Sequence, residues 1–173
     1  MYGGKDVFME HMVKRRPTTI SRLIRFVVWP TVLLLTVLSL FFEVTASLAP
    51  FVFAGGCVGA WQIFIRQYVE YEYILTNGEL DVDRITARRN RRRLLTVDCR
   101  RFEMLAAASQ ASQTDNQSIF RRVDASSWPK SDKCWFAVFN DKEGRRTLLI
   151  FEPDERMLEA CKPFVPPYKI KTS

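Results

Sequence analysis

Two uncharged stretches constrain this chain more than any other feature. Residues 26–42 read FVVWPTVLLLTVLSLFF and residues 48–65 read LAPFVFAGGCVGAWQIFI, and neither holds an Asp, Glu, Lys or Arg. As helices rising about 1.5 Å per residue, both are long enough to cross a hydrocarbon core about 30 Å thick. A core helix of a water-soluble protein normally keeps a polar face, and these have none. The reading is a membrane helical hairpin; two buried helices of a soluble bundle are the alternative. A signal peptide is a second alternative, because Ser47-Leu48-Ala49 could serve as a small-residue cleavage site. However, the apolar run before it exceeds the usual signal core of roughly 7 to 15 residues, and a second span follows at once. The hairpin is expected to remain uncleaved.

The flanking charges set an orientation. Lys5, Lys14, Arg15, Arg16, Arg22 and Arg25 precede the first stretch against Asp6 and Glu10, and the link at residues 43–47 has no Lys or Arg. Arg66 and an arginine-rich run follow the second stretch. Cationic flanks stay cytoplasmic, which predicts a multi-pass cell-membrane protein with both termini inside. A link of about five residues requires antiparallel helices in contact. Gly55 and Gly59 form a G-x-x-x-G with Gly56 and Ala60 beside it, a spacing that lets helix backbones approach closely. They are the helix-packing candidates, with the first span as expected partner and a homodimer contact as the second option. Trp29 reads as an interfacial anchor, and Pro30 as a residue of the helix's first turns. Trp61, Tyr68, Tyr71 and Tyr73 read as an aromatic belt.

Four parts are expected. Residues 1–21 form a basic N-terminal amphipathic segment, with Val7, Phe8 and Met12 on one side of a short headgroup-level helix, or else a disordered leader. Residues 22–67 form the hairpin. From residue 68 the hydrophobic period changes to two. VEYEYILT (69–76) and GELDVDRIT (78–86) alternate around Asn77-Gly78, a strong hairpin-turn signal. Further strands are expected at 92–98, 101–107, 118–123, 134–140 and 146–151, with a flexible loop QASQTDNQS at 110–118. Pro153 opens a last helix that puts Met157, Leu158 and Cys161 on one face. Residues 68–162 are thus a mostly antiparallel β domain of six or seven strands with a C-terminal helix, and 163–173 a flexible tail.

That order of elements resembles the pleckstrin-homology-like domains of bacteria. The stretch Tyr73-Ile74-Leu75-Thr76-Asn77-Gly78-Glu79-Leu80 looks like the first hairpin of their membrane-anchored members. Asp6-Val7-Phe8, Val13-Lys14-Arg15 and residues 70–93 also make the layout similar to a group of small two-helix Firmicutes membrane proteins. That group has no assigned activity, so the resemblance implies fold and location and adds no catalytic residues.

The run RITARRNRRRLLTVDCRR, residues 84–101, holds eight arginines and one acid. Residues 66–173 together carry 20 Lys or Arg against 16 Asp or Glu, so the positive charge is local to the run. Arg88, Arg89, Arg91, Arg92 and Arg93 are expected in the turn between the second and third strands. With Arg84 they are the candidate anionic-ligand site. Anionic lipid suits it, since each basic residue near the inner leaflet is worth about 1 kcal/mol and the arginine fork matches phosphate oxygens. An acidic protein partner comes next. Nucleic acid is disfavoured by the membrane tether and by the lack of a flanking stacking motif. The bland alternative is a solvated loop that only reinforces orientation.

Catalysis finds little support. Cys57, Cys99, Cys134 and Cys161 are scattered, and His11 is the one histidine, so no zinc site, metal or cofactor is expected. Cytoplasmic thiols should stay reduced. Asp81 with Asp83, and Asp154 with Glu155, read as a solvated strand surface and a helix start. Cys134 and Cys161 read as core residues. The expected function is a membrane-tethered, non-catalytic binding or scaffold module. An accessory subunit docking through its transmembrane helices is the alternative, and a membrane-bound enzyme ranks third.

Overall fold

The computed structural model describes residues 7–41, 46–108, 119–128 and 131–171. The polar stretch 110–118 and most of the link between the apolar stretches therefore lie outside the described residues. The chain divides into two compact units. One holds residues 16–69 with the short segment 86–88, and the other holds the rest.

The first unit contains helices α1 (Thr19–Leu40) and α2 (Ala49–Arg66). Both are long and apolar enough to cross a membrane, and no residue in the apolar window of α1 is buried. Phe26, Leu34, Phe51 and Trp61 are largely exposed. The helices touch where Val32 faces Gly56, and where Trp29 and Phe64 meet with ring centroids 6.2 Å apart. Rising numbers on one helix meet falling numbers on the other, so they run antiparallel. The hydroxyls on α1 bond to their own backbone: Thr31 donates to the Val27 carbonyl and Thr36 to that of Val32, each at 2.8 Å. Such back-bonding satisfies a polar side chain without water. Pro30 lies well inside α1, not in its first turns, because the helix extends back to Thr19.

The second unit is built from two sheets. The first has the order β1-β2-β3-β4, from β1 (Phe8–Lys14), β2 (Val69–Thr76), β3 (Glu79–Thr86) and β4 (Asn90–Asp98). The second has the order β6-β8-β7-β5-β9, from β5 (Phe102–Ala107), β6 (Arg121–Asp124), β7 (Trp135–Asn140), β8 (Arg146–Phe151) and β9 (Ile170–Lys171). Strands β5, β7 and β8 pair antiparallel in turn, while β6 pairs parallel with β8 and β9 parallel with β5. Asn77 and Gly78 both have positive φ, as the tight β2–β3 turn requires. A Cβ at Gly78 would lie 2.6 Å from the Phe164 ring, so the position needs glycine for space as well.

Alternation fills the core. Tyr71, Tyr73 and Leu75 of β2, Leu80 and Val82 of β3, and Leu149 to Phe151 of β8 are almost fully buried. Helix α3 (Glu155–Cys161) adds Met157 and Cys161. Asp154 caps it by accepting the Met157 N–H at 2.9 Å, so Pro153 stands just before the cap. Leu158 is only partly buried. Tyr73 ties the core together. Its hydroxyl donates to the Ala125 carbonyl, accepts the Glu152 N–H at 3.3 Å, and its ring meets Phe151 edge-on. Burial pushes the Tyr73 phenol up, which keeps it a neutral donor.

Three expectations are corrected here. Residues 8–14 are a strand, not a helix, since Phe8 to Lys14 pair antiparallel with Thr76 to Glu70 and Val13 is buried. The C-terminal segment is not loose: Val165 is buried, Pro167–Lys169 makes a 3₁₀ turn and β9 joins the second sheet. Tyr71 and Tyr73 are core residues, not a membrane belt, because β2 turns every second side chain inward. Trp61 and Tyr68 are exposed.

Candidate functional site

The arginine run does not sit in one turn. Arg84 lies in β3, Arg88 and Arg89 in the turn, and Arg91, Arg92 and Arg93 already in β4. All six are exposed at the residue level, but they divide by partner. Arg91 bonds Glu72, and its Nε donates to Asp83 at 2.7 Å. Arg93 bonds Asp83 and reaches Asp81 at 2.6 Å. Thr96 also donates to Asp81. Lys14 stands 3.9 Å from Glu70. An ionic ladder therefore runs across the first sheet.

Burial makes the ladder structural. Glu72 and Asp83 are 4% and 2% exposed. A buried carboxylate needs paired charge and hydrogen bonds, and Arg91 and Arg93 supply both. Its hydrogen bonds to the Asp83 carboxylate raise the Arg93 guanidinium further above its usual range. Asp81 and Asp83 are thus not a solvated strand face: both are ion-paired, and Asp83 is buried. Sequence reasoning missed this ladder, although its signal was present. Glu70 and Glu72, Asp81 and Asp83, and Arg91 and Arg93 are each spaced by two, the spacing that shares one face of a strand.

Arg84, Arg89 and Arg92 have no acidic partner among the described residues, which leaves their donors available. Arg88 differs from both groups. Its guanidinium lies 4.8 Å from the centre of the Tyr68 ring. Ala87 and Arg88 both hold positive φ without being glycine, a conformation that costs roughly 1 kcal/mol or more per residue. The Ala87 N–H donates to the Tyr68 carbonyl at 2.9 Å. Arg25 lies 5.5 Å from the Phe64 ring, and Arg66 ends α2. Cations and aromatic rings thus gather at one end of the helix pair.

The glycines divide as well. A Cβ on Gly56 would sit 2.6 Å from Val32, whereas at Gly55 and Gly59 it would meet nothing within 4 Å. The contact between α1 and α2 uses Gly56, and the G-x-x-x-G pair faces away from it. The motif was legible, but which glycine meets α1 depends on helix rotation.

No group of His, Cys, Asp and Glu among the described residues could hold a metal. His11 stacks on Tyr73 and stands 3.9 Å from Asp154. Cys99, Cys134 and Cys161 are buried, and Cys99 and Cys161 touch at 3.9 Å. The Cys99 thiol is pushed up by its contact with Cys161 and by burial, and the Cys134 thiol by burial, so neither is an activated nucleophile.

No curated protein and no solved structure matches the chain. The family comparison reaches beyond the strands that the hydrophobic pattern marks most plainly, taking in both β1 and the closing β9. Its model, described as "Bacterial PH-like domain (DUF6106)", aligns with residues 5–171, and the chain belongs to that family.

Proposed function

We propose that this protein is a membrane-tethered, non-catalytic binding module whose Arg84, Arg88, Arg89 and Arg92 contact anionic lipid. The PH-like family membership supports a binding role in kind. In the full reading, α1 and α2 cross the cell membrane as a hairpin with both termini in the cytoplasm. The exposed apolar faces of the helices support that immersion, since soluble monomers rarely expose contiguous apolar patches of this extent. The observation that carries the lipid contact is the partition of the arginine run. Arg91 and Arg93 are engaged by acids, whereas Arg84, Arg89 and Arg92 have no acidic partner among the described residues, and Arg88 stands over Tyr68 directly after α2.

Hydrogen exchange on the full chain in nanodiscs tests this. Residues 84–92 should be more protected in anionic than in zwitterionic bilayers, and replacing Arg84, Arg88, Arg89 and Arg92 with Gln should erase the difference. Equal exchange in both bilayers removes the lipid contact. Reporters fused at the two ends test orientation separately, and an external signal from either end overturns it.

A second reading has its own observation. Gly55 and Gly59 leave a smooth, unfilled face on α2, which suits an accessory subunit docking onto another membrane protein or a second copy. Gentle detergent purification should then yield a stoichiometric partner that Gly55→Leu with Gly59→Leu releases. A lone monomer in that preparation counts against it.

A further inference from the structure

A cleft of about 290 Å³ lies in the β unit, between the C-terminal half of β4 and the β7–β8 turn. Leu95, Val97 and Phe139 give it an apolar wall, and Arg101, Arg121 and Lys142 line it with cations. Its neutral polar groups are already engaged. Thr96 donates to Asp81, Thr147 to the Arg145 carbonyl and Asn140 to Glu103.

The two acids that line the cleft are engaged too. Asp141 accepts the N–H groups of Glu143 and Arg145 and the Arg145 side chain, and Glu143 pairs with Arg145 at 2.6 Å. The Arg145 backbone N–H is the largest influence holding Asp141 below its usual carboxylate range. Arg145 is thus the counterion of the turn, and the other three cations remain in surplus. Arg101 donates to the Asp141 carbonyl and Arg121 to the Leu94 carbonyl, each at 3.3 Å. One such bond orients a guanidinium and leaves most of its five donors open. No acid partners Arg101, Arg121 or Lys142 among the described residues.

We propose that this cleft binds a small phosphate ester, its phosphate held by Arg101 and Arg121 with Lys142 at the rim and its carbon body against Leu95, Val97 and Phe139. Two oriented guanidinium forks suit the oxygens of a phosphomonoester, and Lys142 adds a compact charge. The apolar wall favours an ester over inorganic phosphate. The site uses none of the arginines assigned to the lipid-facing surface, so it stands or falls independently of that reading. The phosphate could belong to a soluble compound or to a lipid headgroup.

Calorimetry on the full chain in zwitterionic nanodiscs tests the proposal, with glycerol 3-phosphate as soluble probe and glycerol as control. A parallel arm measures binding to phosphatidic acid incorporated in the nanodisc, through exchange protection of the β7–β8 turn. Saturable binding in the first arm identifies a soluble ester, and protection in the second arm alone identifies a headgroup. Arg101→Gln with Arg121→Gln should weaken either response at least about tenfold, and Lys142→Gln should weaken it less. Arg122→Gln, which removes a neighbouring charge outside the cleft, should leave it unchanged. Silence in both arms overturns the site. So does equal weakening by Arg122→Gln, which would mean diffuse charge attraction, or full binding by the double variant with an unchanged melting curve.

Discussion

The helix pair and the β unit handle polar and apolar groups in opposite ways. On α1 and α2 the apolar side chains point outward, and the hydroxyls of Thr31 and Thr36 fold back onto their own carbonyls. In the β unit Tyr71, Leu80 and Leu105 point inward, while the polar side of the first sheet is zipped by Glu72, Asp83, Arg91 and Arg93. The difference is the one that the proposed membrane setting of the helices requires. A helix closes all its backbone bonds internally and can then present hydrocarbon to its surroundings. A sheet has two faces, and here one is filled with side chains and the other charge-balanced.

The largest effect should come from truncating a leucine inside the β unit, with a leucine on α1 as the contrast. Leu105 is fully buried, and Leu105→Ala should destabilise the β unit by about 2 to 5 kcal/mol in denaturant melts. Leu34 is 65% exposed, and Leu34→Ala in detergent should change little. Comparable losses at both positions would mean that α1 is buried in the working protein.

A second test separates structural from available arginines. Arg91→Ala takes the arginine from buried Glu72 and leaves Asp83 to Arg93 alone. It should cost up to about 3 kcal/mol, the low end for breaking a buried pair because the guanidinium is half-exposed. Arg92→Ala should stay within about 0.5 kcal/mol. Equal melting curves for the two variants would break the distinction on which the candidate surface rests.

Glycine size comes next. Gly56→Leu drives a side chain into Val32 and should lower helix-pair stability by about 1 to 3 kcal/mol in detergent, whereas Gly55→Leu should not. Acid should have the smallest effect, and on the β unit alone, since neither α1 nor α2 contains a carboxylate. Burial pulls the Glu152 carboxyl up, but hydrogen bonds from Ser127 and Ser131 outweigh it and its pKa is lowered from 4.5. A carboxylate with a depressed folded pKa stabilises the fold above its unfolded value and loses that contribution as pH falls through the folded one. Melting temperature should therefore drop as pH falls below 4.5, and Glu152→Gln should flatten that slope. An unchanged slope would remove Glu152 as its source.

Much of the β unit was legible because alternation and turn chemistry are local. Asn77-Gly78 fixed the first hairpin, and the apolar runs at 134–140 and 146–151 gave β7 and β8 nearly to the residue. Strand β1 was misread because Val7, Phe8 and Met12 also fit a helical spacing; pairing with β2 selects the two-residue period, with Val13 inward. Strand β9 is two residues long and carries no pattern of its own. The candidate site was legible as a charge surplus and no further. Whether an arginine is available depends on which carboxylates lie across the sheet from it.

The order of residues alone determined two apolar helices, an Asn-Gly hairpin and a dense basic run, because hydropathy, turn preference and charge belong to neighbouring residues. Tertiary structure alone decided that Arg91 and Arg93 serve Glu72 and Asp83, that Gly56 rather than Gly55 or Gly59 meets α1, and that residues 8–14 and 170–171 join sheets. These outcomes depend on strand register and helix rotation, which bring together side chains far apart in sequence.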